Sequence, residues 1–276
     1  SNVNSMHGLF FNTNFTNGGS PNISGWDVSN VTDMAHLFSR QYATHIYQRK
    51  PNGGFNQPIG AWDVSNVTGM AGMFNTNQFF DQDLSDWDVS SVKSMEGTFG
   101  GTTQQPSVAA NPLGYGVFFN NGGQTGIGNW DVSNVTNMNS MFVQNTGFNQ
   151  PIAGWNVSKV TDMNMMFYMA TEFNQPIGSW NTSSVTAMYS TFAYASGFDQ
   201  NIGSWDVTKV NNFQYFMRGI SLSTANYDAL LNGWGPQNVK NDKSINFGSS
   251  QYSSSAYWRN HLINSHGWTI TDGGQA

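Results

Sequence analysis

The sequence predicts an α/β repeat solenoid built from leucine-rich-repeat-like coils, with a short strand plus a short helix in each 25-residue unit and a C-terminal α/β cap. Three observations predict it. Tryptophans in a W-[DN]-[VT]-[ST] context recur at Trp26, Trp62, Trp87, Trp130, Trp155, Trp180 and Trp205, with spacings of 36, 25, 43, 25, 25 and 25 residues. A methionine follows at a fixed distance, at Met34, Met70, Met95, Met138, Met163 and Met188. The period then stops, which divides the chain into a repeat region over 1–217 and a capping element over 218–276. Self-similarity at a fixed period of this size is the signature of a repeat architecture.

Residues 148–167 show the unit most plainly. Ile152, Trp155 and Val157 follow an I-x-x-W-x-V rhythm, the pattern of a short strand that turns Trp and Val inward. Ser158 suits a helix N-cap. Val160, Met163, Met166 and Phe167 then fall at i, i+3, i+6 and i+7, one face of a short helix. Phe148-Asn-Gln-Pro151 reads as a turn, because proline belongs in a loop rather than a central strand. An incomplete unit opens the chain, since Val3, Met6, Leu9 and Phe10 match Val31, Met34, Leu37 and Phe38. Its tryptophan would precede residue 1, so the reading expects a mature product or a piece of a longer parent chain.

One unit cannot bury its own apolar face, whereas stacked neighbours can, at about 4.8 Å per coil. A buried Trp removes roughly 150–250 Å² from water. At about 25 cal/mol per Å² that is a gross gain of roughly 4–6 kcal/mol per rung, before the entropy of ordering the coil is subtracted. The Trp and Met columns are therefore expected to be the repeat core. The polar residue after each turn Phe (Asn56, Asp81, Asn149, Asn174, Asp199) is expected to form a ladder that satisfies turn backbone groups.

The motif W-D-V-S-N-V-T-x-M-x-x-[ML]-F followed by F-N-Q-x-I resembles the bacterial surface-protein repeat of mycoplasma lipoproteins and Bacteroidetes exported proteins. It is similar to the BspA-like leucine-rich-repeat group, over about residues 1–217. The resemblance extends to Leu222–Trp234 and His266–Gly274, which look like the C-terminal element that often follows such repeats. It implies surface display and adhesion, and it carries no ligand or catalytic residue.

Two insertions depart from the plain unit, near 39–54 and 100–118. The first holds Arg40, Tyr42, His45, Tyr47, Arg49 and Lys50. Insertions lie on one side of a repeat stack, often the binding side, and Tyr and Arg are typical anchors. These six are the candidate binding residues. In the tail, Ser223 or Thr224 is expected to cap a helix through Leu231, with strands at 245–247 and 268–270 and a second helix over 253–265.

Composition narrows the function classes. Charged residues are only 9%, and 10 basic against 16 acidic residues leave a net charge of −6 with no basic run. Nucleic-acid binding and attraction to anionic lipid lack their electrostatic basis. No apolar stretch approaches the roughly 20 residues of a membrane span. There is no cysteine, so neither a disulfide framework nor a thiolate metal site is expected. The five histidines are scattered, and no HExxH, GxSxG or Walker arrangement appears. The recurring Asp27, Asp63, Asp88, Asp131 and Asp206 read as strand or helix-start residues. No metal, cofactor or catalytic residue is expected. The expected role is a non-catalytic, extracellular or cell-surface recognition or adhesion module. Its expected partner is a protein or glycan on a host or neighbouring cell. The alternative is a structural spacer or self-assembling subunit of a filament, outer layer or virus particle.

Overall fold

The computed structural model describes residues 2–13, 15, 23–40, 54–101 and 117–276. Successive repeats lie side by side in parallel. The residue before each column methionine bridges to its equivalent in the next repeat, in the series Ser5, Asp33, Gly69, Ser94, Asn137, Asp162, Ala187, which ends on Asn212 before Phe213. The register follows the repeat, so the longer units keep their alignment with the plain ones.

The segment read as a short helix is not helical. In the repeat around Met163, alternate amides go to the neighbouring coil: Met163, Met165, Phe167 and Met169 N–H donate to the carbonyls of Ala187, Tyr189, Thr191 and Ala193. The amides between them donate three residues back, from Met166 to Met163, Tyr168 to Met165 and Ala170 to Phe167. The chain is thus a run of overlapping turns whose free groups are paired by the next coil. Met165 and Met169 have φ of 54° and 57°, the left-handed region that the third position of a type II turn requires and an α-helix forbids. Equivalent positions in other units hold Gly8, Gly72 and Gly97, all at positive φ. Three-residue turns place Met163, Met166 and Phe167 on one side just as a helix would, which is why the spacing misleads.

The expected strand is also replaced. Ile152–Gly154 and Ile177–Ser179 are single 3-10 turns followed by an extended Trp. The Asp or Asn after that Trp is neither a strand nor a helix-start residue. It closes an Asx turn: Asp63, Asp131 and Asn156 accept the N–H of Ser65, Ser133 and Ser158 at 2.9–3.2 Å. Either side chain supplies the oxygen, which explains their interchange. The Ser65 hydroxyl and then its amide hold Asp63 below the usual carboxylate range.

The core is a set of columns. Met34, Met70, Met95, Met138, Met163 and Met188 are buried. Trp62, Trp87, Trp130, Trp155, Trp180 and Trp205 are buried too, and the rings of Trp26 and Trp62, Trp87 and Trp130, Trp130 and Trp155, and Trp180 and Trp205 lie 6.3–6.5 Å apart, nearly parallel. Each indole N–H donates to a carbonyl of the preceding coil, as Trp155 Nε1 does to Ile127 O at 2.9 Å. Two phenylalanine columns pair within each coil, for example Phe142 on Phe148 at 3.7 Å. Trp26 departs from the expected core: it is 40% exposed. Among the described residues it is the first indole of the column, stacked on one indole, Trp62, with the Phe10 ring tilted against it at 6.0 Å.

The polar ladder runs beside these columns. Asn149 Oδ1 accepts from Asn174 N–H at 3.0 Å and Gln175 Nε2 at 2.8 Å, and Asn174 Oδ1 serves Asp199 and Gln200 in the same way. Asn56, Asp81 and Asn120 are its earlier rungs. Asn149→Ala is expected to lower stability by about 1 kcal/mol, since water reaches the released donors. Asn149→Asp should stay near wild type, because Asp81 and Asp199 already fill that place. Urea midpoints for the two variants check this.

The tail continues the columns with different backbone. Helix α1 (Thr224–Trp234) starts at Ser223, whose hydroxyl accepts from Asn226 N–H. Ser223 and Asn226 also take up the last ladder oxygen, Asp199 Oδ1. Trp234 donates to Ile202 O at 3.1 Å, one more indole rung. Strand β1 (Ser244–Asn246) bridges Phe213 through Ile245 and pairs in parallel with β2 (Thr269–Thr271). Helix α2 (Ala256–His266) ends at Gly267 with φ of 67°. Arg259 and Asp272 form a partly buried pair at 2.7 Å that also holds the Tyr227 hydroxyl.

Candidate recognition surface

Both insertions leave from the same corner. Plain units span it with five residues, between Phe74 and Phe80 or Phe142 and Phe148, where the longer units run from Phe38 to Phe55 and from Phe99 to Phe119. Of the six candidate binding residues, Arg40 is described. Tyr42, His45, Tyr47, Arg49 and Lys50 lie outside the described residues, as does 102–116. Arg40 sits at the root of its loop, half-buried, with its N–H on Asn75 O at 2.9 Å and its carbonyl accepting the Thr76 hydroxyl. Beside the corner Phe79 and Phe118 are 44% and 56% exposed. Phe79 lies over Gly54, where an added Cβ would come within 2.4 Å of its ring.

A second cluster lies on the outer side of the overlapping turns, apart from the main core. Val143, Tyr168 and Ala193 are buried there beneath Met165, Met169 and Tyr194. Tyr194 meets Tyr168 edge to face at 5.8 Å, and Tyr189 meets Tyr215 at 5.8 Å. The Arg218 guanidinium lies between Tyr215 at 5.2 Å and Tyr194 at 6.0 Å. Gly219 makes this possible, because a Cβ there would stand 2.4 Å from the Tyr194 ring. The sequence reading missed this cluster. Its signal was present: lining up the units puts Val143, Tyr168, Ala193 and Arg218 in one column, and Gln144, Met169, Tyr194 and Gly219 in the next. Neither column is needed by the core, yet both carry large side chains.

A third feature is a shallow depression of about 310 Å³ on α2, lined by Tyr257, Asn260, His261, Asn264 and Ser265. His261 and His266, which the sequence spacing assigns to different helix faces, bring their rings to 5.3 Å. Each Nδ1 already has a partner, Ser265 and Asn241 respectively. Among the described residues no three His, Cys, Asp or Glu side chains gather as metal ligands, and no helix is long and apolar enough to cross a membrane.

Comparison with curated proteins finds no match, and comparison with solved structures finds none either. A family model described as "Mycoplasma protein of unknown function, DUF285" matches twice, over residues 1–110 and 115–234. The second match ends with the last residue of α1, the Trp234 rung. The repeats together with that first element of the tail place the chain in the mycoplasma repeat family DUF285.

Proposed function

We propose that the chain is a non-catalytic recognition or adhesion module of a bacterial surface or secreted protein, akin to the BspA-like repeats. Its body is a repeat solenoid closed by the C-terminal element. The observation that carries this reading is the division of labour among side chains. Trp, Met and Phe columns, the Asn ladder and the Asx turns account for the recurring residues. What is left over, and differs from unit to unit, is aromatic and outward-facing: Phe79 and Phe118 at the insertion corner, and Tyr189, Tyr194, Tyr215 and Arg218 on the turn face. Variable aromatic and Arg side chains on a rigid, weakly charged scaffold suit binding of a protein or glycan. The repeated Asp carboxylates, by contrast, are used within their own turns.

The test is a binding screen of the purified chain against arrays of glycans and extracellular proteins, repeated with residues 39–54 cut to the plain repeat length. A saturable binder is expected, and loss of it in the shortened variant would put the contact in that loop. Self-assembly without any binder would overturn the reading in favour of a structural subunit.

A further inference from the structure

We propose that the cluster of Tyr194, Arg218 and Tyr215 binds a carboxylate-bearing sugar, a uronic-acid type of residue in a glycan. The proposal rests on the recognition reading and gives it a place and a ligand class.

The argument begins with the cation. Among the described residues, Arg259 pairs with Asp272, while Lys159 and Lys240 lie on the side-chain oxygens of Asn134 and Asn211. Arg218 pairs with no carboxylate there, although acidic residues outnumber basic ones 16 to 10. It is exposed, yet its guanidinium carbon lies over two tyrosine rings, 5.2 Å from the Tyr215 centroid and 6.0 Å from that of Tyr194. The two cation–π contacts restrain the exposed cation beside the rings. A planar fork restrained in this way can take a carboxylate bidentately, with part of its side-chain entropy already lost before binding.

The surroundings decide between an acidic sugar and an acidic peptide. Tyr194 and Tyr215 are half-buried, so each offers ring surface and a hydroxyl beside the cation. Gln214, exposed, precedes Tyr215 in the turn closed between Phe213 and Phe216, and exposed Asn212 lies just before that turn. A pyranose presents an apolar C–H face to such rings and a rim of hydroxyls to amides and phenols. An acidic peptide would need further cations or a free strand edge. The face offers no free strand edge, since the amides of Ser190, Phe192 and Tyr194 are already donated to Gln214, Phe216 and Arg218, and among the described residues Arg218 is the cation placed over these two rings.

The experiment titrates the whole chain by calorimetry and NMR with a glucuronate-containing tetrasaccharide, its carboxyl-reduced counterpart and an acidic tetrapeptide. The native chain is expected to bind the glucuronate form at least tenfold more tightly than either comparator. Arg218→Lys keeps the charge but loses the fork, and should weaken binding about tenfold. Arg218→Gln should abolish it. Because Arg218 is exposed, both variants should keep the native melting temperature, and Tyr194→Phe should retain binding through its ring. Equal binding of the reduced sugar or the peptide, or undiminished binding by Arg218→Gln, would overturn the proposal. If those variants still bind their partners on the arrays, the recognition reading survives and this site alone fails.

Discussion

Trp155→Ala is expected to destabilise the chain by about 3–5 kcal/mol, the range for truncating a large aromatic in a close-packed core. For a chain of this size that corresponds to a fall in melting temperature of roughly 10 °C. Two losses add. The indole packs on Trp130 at 6.5 Å and on Phe142 at 6.4 Å, and at 3% exposure its removal leaves an enclosed space. The carbonyl of Ile127 also loses the Nε1 donor. Trp26→Ala is the internal control. It removes the same side chain from a site 40% exposed and stacked on one indole, so it should cost less than about 2 kcal/mol. Trp155→Phe keeps most of the packing and should fall between the two. Calorimetric melting of the three variants decides the matter. If Trp155→Ala and Trp26→Ala came out alike, the indole column would not be what holds neighbouring repeats together.

The column was legible from spacing alone because burial by stacking demands one large apolar residue at the same place in every unit. Insertions of different length did not hide it, since they fall between Phe38 and Phe55 or Phe99 and Phe119 and leave the Trp-to-Met distance of each unit unchanged. The Asn ladder was legible for the same reason, with Asn149 and Asn174 repeating a bond rather than a volume. Local backbone was not legible. Met163, Met166 and Phe167 have a spacing that helix and stacked turns share, and what separates them is the sign of φ at Met165 and Met169. Non-glycine residues in the left-handed region are locally costly. They persist because the next coil accepts amides such as Met165 N–H at 2.8 Å, a cause that no single unit's sequence contains. The Arg218 cluster stayed hidden because the search followed what repeats, and its residues are the ones that do not.

Asp228 carries the second large effect. It belongs to α1, is 8% exposed, and points its carboxylate at the start of α2. Oδ1 accepts the amides of Ser253, Ser254 and Ser255 at 3.1–3.2 Å, and the hydroxyls of Ser253 and Ser255 donate at 2.6 and 2.7 Å. Ser255 makes no side-chain cap of its own, so an anion from another helix fills that place and meets the positive end of the α2 dipole. Asp228→Ala strands these donors and should cost about 3 kcal/mol, from the lost charge-assisted bonds. Burial opposes the charge, but the hydroxyls of Ser253 and Ser255 and the amides of Ser254 and Ser253 outweigh it and hold the carboxyl well below its usual range. A carboxyl whose folded value is depressed stabilises fully above the unfolded value of about 3.9 and loses that contribution as pH falls towards the lower folded value. Wild type should therefore lose more stability than Asp228→Asn between neutral pH and pH values below about 4. Other depressed carboxylates, Asp63, Asp131 and Asp272 among them, are common to both proteins and cancel in the difference. Urea unfolding of the pair at neutral and acid pH isolates the Asp228 share. Parallel pH profiles would mean that the charge of Asp228 contributes nothing to joining the two helices, leaving that to apolar packing and to the Tyr227–Asp272–Arg259 contacts.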